Sequence, residues 1–153
     1  MTAPIHLSRK KAARNRNVIW EGLNDFLAFT DLKTLSGVQR IASLAYWHWS
    51  HVRLGGYHDY FSTPPKADYS EVASALRAVG ATEMASVLDA ALAAVQAAST
   101  RAPDSYANRF AAGVDFADFT EFEDAFDRCA KSFPGSLLDF VEKHEMEFIE
   151  WKP

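Results

Sequence analysis

Three histidines in one short, aromatic-rich stretch are the residues whose spacing comes nearest to a metal site. His48 and His51 are three residues apart, so a helix would present both imidazoles on one face. His58 follows a Gly-Gly pair and could add a ligand from the turn, with Asp59 beside it. The sequence has neither a His-Glu-x-x-His pattern nor a cysteine cluster. A metal-binding protein or metal-dependent enzyme centred on these histidines is therefore the alternative interpretation, and we predict no metal ligands.

Other catalytic chemistry is not indicated. The sequence contains no Gly-x-Ser-x-Gly elbow and no Walker phosphate loop. The only cysteine, Cys129, lies among apolar residues at helical spacing, where a thiolate is disfavoured. A single cysteine cannot form an internal disulfide, and no apolar secretory segment follows the basic N-terminus. We predict a non-enzymatic cytoplasmic protein without cofactors.

Carboxylates alternate with phenylalanines between residues 115 and 127. On one continuous helix with a rise of about 1.5 Å per residue, the six acids would be spaced at about 3 Å, close to the roughly 3.4 Å per charge of a DNA strand. Thr120 argues against a continuous helix, because Thr120 with Glu123 has the pattern of a capping box. The simpler interpretation is that Glu121, Glu123 and Asp124 stabilise a helix N-terminus while the phenylalanines face the core. The six acids are Asp115, Asp118, Glu121, Glu123, Asp124 and Asp127.

The net charge of −4 conceals an uneven distribution. Segment 104–153 contains twelve acids and five bases, and Glu123 and Asp127 form a like-charge pair four residues apart that mildly destabilises a helix. Segment 1–16 contains five bases and no acid. It could bind phosphates but lacks base-stacking aromatics, so a nucleic-acid binder is a further, less favoured alternative. The bases are Arg9, Lys10, Lys11, Arg14 and Arg16.

Apolar residues recur at helical spacing along most of the chain, which predicts an all-α fold in a single compact domain of six to seven helices. We expect a basic N-terminal segment 1–16, in part disordered, and one helical domain 17–153. No apolar run reaches the roughly 20 residues that a bilayer requires, so no membrane association is predicted. The predicted helices are 10–29, 36–54, 68–79, 82 to beyond 95, 103–112, 120–133 and one from 136.

A double glycine ends the second predicted helix. We expect Gly55 or Gly56 to adopt a positive φ just beyond the helix, since glycine has no side chain to clash there. Tyr57, Tyr60 and Phe61 would then fold back on the core. These five residues are predicted to form a structural turn.

Several of these segments together resemble the DNA mimic protein family. They are Tyr46-Trp47, the Leu-Gly-Gly-Tyr-His-Asp-Tyr-Phe run at 54–61, the Ala-Leu-Arg-Ala-Val-Gly-Ala run at 75–81, and a last helix at 137–148. The family has an Asn-Gly-Gly-aromatic turn, and here Leu54 replaces the asparagine and Asp59 a common glutamine. The resemblance covers about 38–148. It implies an all-helical fold, no known catalytic apparatus and, for the member that names the family, an acidic surface that occupies a DNA-binding protein's site.

These observations favour a non-enzymatic protein-binding or inhibitor domain. The acids between 115 and 127, joined by Glu142, Glu145 and Glu150, would engage a basic protein partner such as a DNA-binding regulator or a nuclease. Nucleic acid is not the expected partner. The sequence leaves a homo-oligomer open.

Overall fold

A computed structural model describes residues 5–153 as a mainly helical protein. Seven of the nine α-helices found in this range have seven residues or more, which confirms the all-α prediction. The helices are α1 (Arg9–Arg14), α2 (Asn17–Phe29), α3 (Gly37–Ser62), α4 (Tyr69–Ala78), α5 (Thr82–Arg101), α6 (Arg109–Phe116), α7 (Thr120–Ala130), α8 (Phe133–Lys143) and α9 (Glu145–Phe148).

The two ends of the described chain form a small sheet that was not predicted from the sequence. Strand β1 (Ile5–Ser8) pairs in parallel with β2 (Ile149–Lys152), so that Ile5 lies opposite Ile149. Buried Leu7 and Ile149 attach the sheet to the core. The basic segment 1–16 thus contributes β1 and α1 to the fold, while its first four residues lie outside the described range.

The start of α3 and the turn between α4 and α5 have the form that their sequences indicate. Ser36 and Gln39 form a reciprocal capping box at the start of α3, with each side chain bonded to the other residue's backbone N–H. Gly80, with φ of +85°, connects α4 to α5. Helix α5 begins at Thr82 and buries the predicted apolar stripe that includes Met84 and Leu88.

Three predicted helix boundaries are wrong. The helix predicted at 10–29 is interrupted at Asn15, whose side chain accepts the N–H of Asn17 and so competes with helical bonding. The helix predicted at 103–112 is instead α6, which begins after Asn108 and continues through Gly113, where a side chain would collide with the backbone of Val95 in α5. Helix α8 begins at Phe133 rather than Ser136, because the proline that follows is tolerated in a first turn.

Helix α3 is the central element and contacts α2, α4, α6, α7, α8 and α9. Its own buried residues include His48, Tyr57 and Tyr60, all fully inaccessible to solvent. The helices that contact α3 therefore share one core and are positioned by it. Within residues 5–153, none of the helices has the length and apolar character needed to cross a membrane.

Candidate functional site

The double glycine interrupts α3 without ending it. Gly56 has φ of +73° and ψ of −179°, which confirms the expected positive φ. Regular helix is broken at the predicted place, but Tyr57, Tyr60 and Phe61 lie on a helix that resumes at once and continues to Ser62. The turn is thus a sharp break within α3. Leu54 is 80% exposed beside this break.

Glu123 of α7 caps the second half of α3. The backbone N–H of Tyr57, freed by the break, donates to Glu123 Oε1 at 3.1 Å. A Cβ at Gly56 would collide with that same oxygen, so a glycine is required both for the backbone angle and for the approach of Glu123. This role was not predicted from the sequence. A restarted helix needs an acceptor for its first N–H groups, but only the tertiary structure identifies which residue provides it.

An aromatic cluster lies beneath this junction. Tyr57 and Tyr60 are fully buried, Phe61 is nearly so, and the Tyr57 and Phe61 rings stack at 5.7 Å. The imidazole of His48 lies among them, with Nε2 at 3.4 Å from the Tyr57 hydroxyl. Burial lowers the pKa of His48 to about 3, so its imidazole is neutral at pH 7. This histidine is a packing residue of the core.

The three histidines considered for metal binding lie in three different environments. His48 is buried, while His51 Nε2 lies 2.7 Å from Asp59 Oδ2. His58 Nε2 lies 3.2 Å from Asp115 Oδ1 in α6. Across residues 5–153, no three histidine, cysteine or acidic side chains are grouped so that they could hold a metal ion. The metal-centred alternative gains no support from the geometry of this part of the chain.

The six acids between 115 and 127 do not lie on one helix. Helix α6 ends at Phe116 and α7 begins at Thr120, so the continuous spacing that resembled a DNA strand does not occur. Asp118 Oδ1 accepts the N–H of Thr120 at 3.0 Å, and this bond lowers the pKa of Asp118. The expected capping box of Thr120 and Glu123 is therefore wrong, because Asp118 provides the bond. Asp115 is bonded to His58 and, at 3.3 Å, to the Tyr106 hydroxyl.

The remaining three acids form an unpaired group on α7. Glu121, Asp124 and Asp127 are exposed, and none has a hydrogen bond or ion pair with any other residue of the range 5–153. Their spacing of three residues places them along one side of α7. Phe126 is buried on the opposite side. We call Glu121, Asp124 and Asp127 the free acidic face.

The acids nearer the C-terminus have partners within the chain. Arg16 binds both Asp139 Oδ1, at 2.8 Å, and Glu142 Oε1, at 2.9 Å. Glu150 lies 3.1 Å from His6 across the sheet, and Glu145 accepts the indole N–H of Trp151. Glu142, Glu145 and Glu150 therefore do not extend the free acidic face.

The basic N-terminal residues are also partly engaged. Arg16 joins α8 through the two bonds just described, which raise its pKa, and the Arg9 guanidinium lies over the Trp151 ring at 5.2 Å. Lys10, Lys11 and Arg14 remain exposed. Two of the five bases therefore have contacts within the chain, which weakens the nucleic-acid alternative.

Comparison with known proteins identifies a family. The family model described as DMP19-like protein matches residues 33–144, a range that begins just before α3 and ends just after α8. No curated protein and no solved structure gave a significant match. The match covers well over half of the chain and contains the Gly55-Gly56 break together with α7. The chain belongs to the DMP19-like family of DNA mimic proteins.

Proposed function

We propose that this protein binds a basic DNA-binding protein through the free acidic face of α7 and blocks its DNA site. The observation that carries the proposal is that Glu121, Asp124 and Asp127 have no partner within residues 5–153, whereas the acids of α8 and β2 described above do. Asp115 and Asp118 add exposed negative charge next to this face. Membership of the DMP19-like family agrees with such a role.

Unpaired like charges on one helix side repel each other in the free protein. Lysine and arginine side chains of a partner would relieve that repulsion and would be attracted over a distance, which accelerates association. The face is also held firmly, because Glu123 ties α7 to α3 and Phe126 is buried in the core. A partner would therefore meet carboxylates on a helix that needs no rearrangement.

Reversal of two free acids tests the proposal. Asp124→Lys/Asp127→Lys changes only exposed side chains and leaves the Glu123 cap intact. The wild-type chain, immobilised and exposed to lysate of its host, should retain DNA-binding proteins that added duplex DNA then releases. The double variant should lose this retention, because the partner's bases would meet lysines. Mass spectrometry of the DNA-released fraction provides the measurement.

Glu21→Lys/Asp25→Lys is the matched control. Both acids are exposed in α2, stand four residues apart and have no ion pair or hydrogen bond within the described chain. The charge change is identical, so a general effect of net charge would appear in both double variants. Equal retention by all three proteins, or retention that duplex DNA does not reverse, would refute the proposal.

We propose further that the protein is non-enzymatic and cytoplasmic. The absence of nucleophile and phosphate-loop motifs supports the first statement, and the single, half-buried Cys129 supports the second. Incubation of the purified chain with nucleic acids tests the first statement. Fractionation of host cells tests the second. Cleavage of nucleic acid by the pure chain, or recovery from the exported fraction, would contradict them.

A further inference from the structure

A pocket of about 520 Å³ opens between α3, α7 and the first turn of α8. Pockets of this size are typical of small-molecule sites. Its polar lining is unusual for a chain with net negative charge, because it contains three bases and one acid. The residues are Arg53, Arg128, Lys131 and Asp127.

Arg53 is held in place at this pocket. Its guanidinium lies over the Trp49 ring at 4.8 Å. Trp49 is fixed in turn by its indole N–H, which donates to the Ala130 carbonyl at 3.2 Å, and by stacking on Phe133 at 5.3 Å. Arg53 makes no hydrogen bond or ion pair with residues 5–153, so its guanidinium N–H groups are available to a ligand. An arginine held in this way presents a planar fork of donors suited to carboxylate or phosphate.

The other two bases are also without a counter-ion. Arg128 and Lys131 are exposed and form no ion pair with the described chain, although Asp127 lines the same pocket. Three positive charges and one negative charge give the pocket a formal charge of +2. Mutual repulsion of the bases would be relieved by an anion placed between them.

We propose that this pocket binds a small anion that carries several oxygen acceptors, either a phosphate ester or a carboxylate. Arg53 binds it as a fork, Arg128 and Lys131 supply further charge-assisted donors, and Asp127 accepts a hydroxyl or ammonium donor of the same ligand. A long polyanion is disfavoured because the free acidic face adjoins the pocket at Asp127 and would repel any part of the polyanion that extends out of the pocket. The pocket shares Asp127 with the free acidic face, but its three bases do not depend on the proposed protein-binding role.

Titration of the isotope-labelled full chain followed by nuclear magnetic resonance tests the site. The probes are inorganic phosphate, pyrophosphate and succinate, each at constant ionic strength. The indole N–H of Trp49 and the amides of 128–131 should shift in a saturable manner, with Kd below about 1 mM for one probe. A stronger response to the phosphates than to succinate identifies a phosphate-ester ligand, and the reverse identifies a carboxylate.

Paired neutralisations distinguish this pocket from general charge effects. Arg128→Gln/Lys131→Gln should weaken binding at least about tenfold, because it removes two charge-assisted donors. Lys10→Gln/Lys11→Gln removes the same charge from exposed positions on α1 and should leave Kd within about twofold. All four side chains are exposed, and unchanged thermal unfolding will confirm that both variants fold. Shifts that do not saturate, or equal weakening by both variants, would overturn the proposal.

Discussion

The acids of α7 and those of α8 to β2 belong to one negatively charged part of the sequence but have different roles. On α8 and β2, Asp139 and Glu142 bind Arg16, and Glu150 binds His6. On α7, Glu121 and Asp124 have no partner in the described chain. The difference arises because the two chain ends meet through β1 and β2, which brings the basic N-terminal segment to α8 and not to α7. Charge counted along a sequence therefore does not reveal which charges are available to a partner.

Glu123 marks the boundary between these two roles. It lies on α7 among the free acids, yet its carboxylate caps the restarted half of α3. The like-charge pair of Glu123 and Asp127 consequently has one structural member and one exposed member. The largest expected effect on stability is at Gly56, where an added side chain would meet this carboxylate.

Gly56→Ala should be the most destabilising single change. The backbone at φ of +73° and ψ of −179° is accessible almost only to glycine, and the added methyl group would displace Glu123 Oε1. We expect a loss of about 3 kcal/mol in the free energy of unfolding, measured with denaturant. Gly80→Ala is the control, because Gly80 also has positive φ but a methyl group there meets nothing within 4 Å. Its expected loss is about 1 kcal/mol. Equal losses would show that the contact with Glu123 is not required.

His48 should make stability depend on pH. Its pKa is about 3 in the folded protein, against 6.5 for a solvated histidine of the unfolded chain, so the folded protein disfavours the charged form. The associated stability is fully present above pH 6.5 and is lost as the pH falls towards 3, by about 1.4 kcal/mol per pH unit. Between pH 6.5 and 5 we expect a loss of about 2 kcal/mol from this residue.

His48→Gln separates this effect from the other titrating groups. Glutamine retains a polar group near the Tyr57 hydroxyl but does not titrate, so the free energy of unfolding should fall less steeply between pH 6.5 and 5. Only the slope matters, since the variant itself is expected to be less stable at every pH. Identical slopes would indicate that His48 is accessible to protons in the folded protein.

Glu123→Ala should destabilise the protein by about 1 kcal/mol, the usual effect of losing a helix N-terminal cap. Asp127→Ala, four residues further along the same helix, removes an exposed acid with no partner in the described chain and should leave stability within a few tenths of a kcal/mol. Chemical unfolding of both variants gives the comparison. Similar losses for the two would mean that the bond from Tyr57 N–H to Glu123 contributes nothing.

Local signals were sufficient for much of the fold and for the position of the break. The Ser36 and Gln39 capping box and the positive φ of Gly56 depend on residues that are neighbours in sequence. By contrast, the contacts that decide which acids are paired within the chain join residues that are far apart in sequence. Glu123 reaches across 66 residues to Tyr57, and Arg16 reaches across 126 to Glu142. No periodicity or spacing in the sequence encodes which of twelve C-terminal acids these groups select.

Paired charge reversals compare the acids of α7 directly with those of α8. They have the smallest expected effects on the free energy of unfolding. Asp139→Lys/Glu142→Lys removes both partners of Arg16 and places like charges beside it, so the free energy of unfolding should fall by up to about 1 kcal/mol, the range of exposed ion pairs. Asp124→Lys/Asp127→Lys removes no bond. It relieves repulsion between the acids of α7 but places lysines four residues before Arg128 and Lys131, so stability should stay within about 0.5 kcal/mol of the wild type.

The dependence of stability on salt concentration shows whether the effects of these two double variants arise from charge. At 1 M salt the Debye length is about 3 Å, so the deficit of Asp139→Lys/Glu142→Lys should shrink if it arises from charge. Any small change in the stability of Asp124→Lys/Asp127→Lys should shrink as well, because salt screens attractive and repulsive charge pairs alike. Denaturant unfolding at about 0.1 M and about 1 M salt measures both. A loss of stability in the α7 variant that is as large as that in the α8 variant and persists at about 1 M salt would mean that the free acidic face has a structural role, and its availability to a partner would then have to be abandoned.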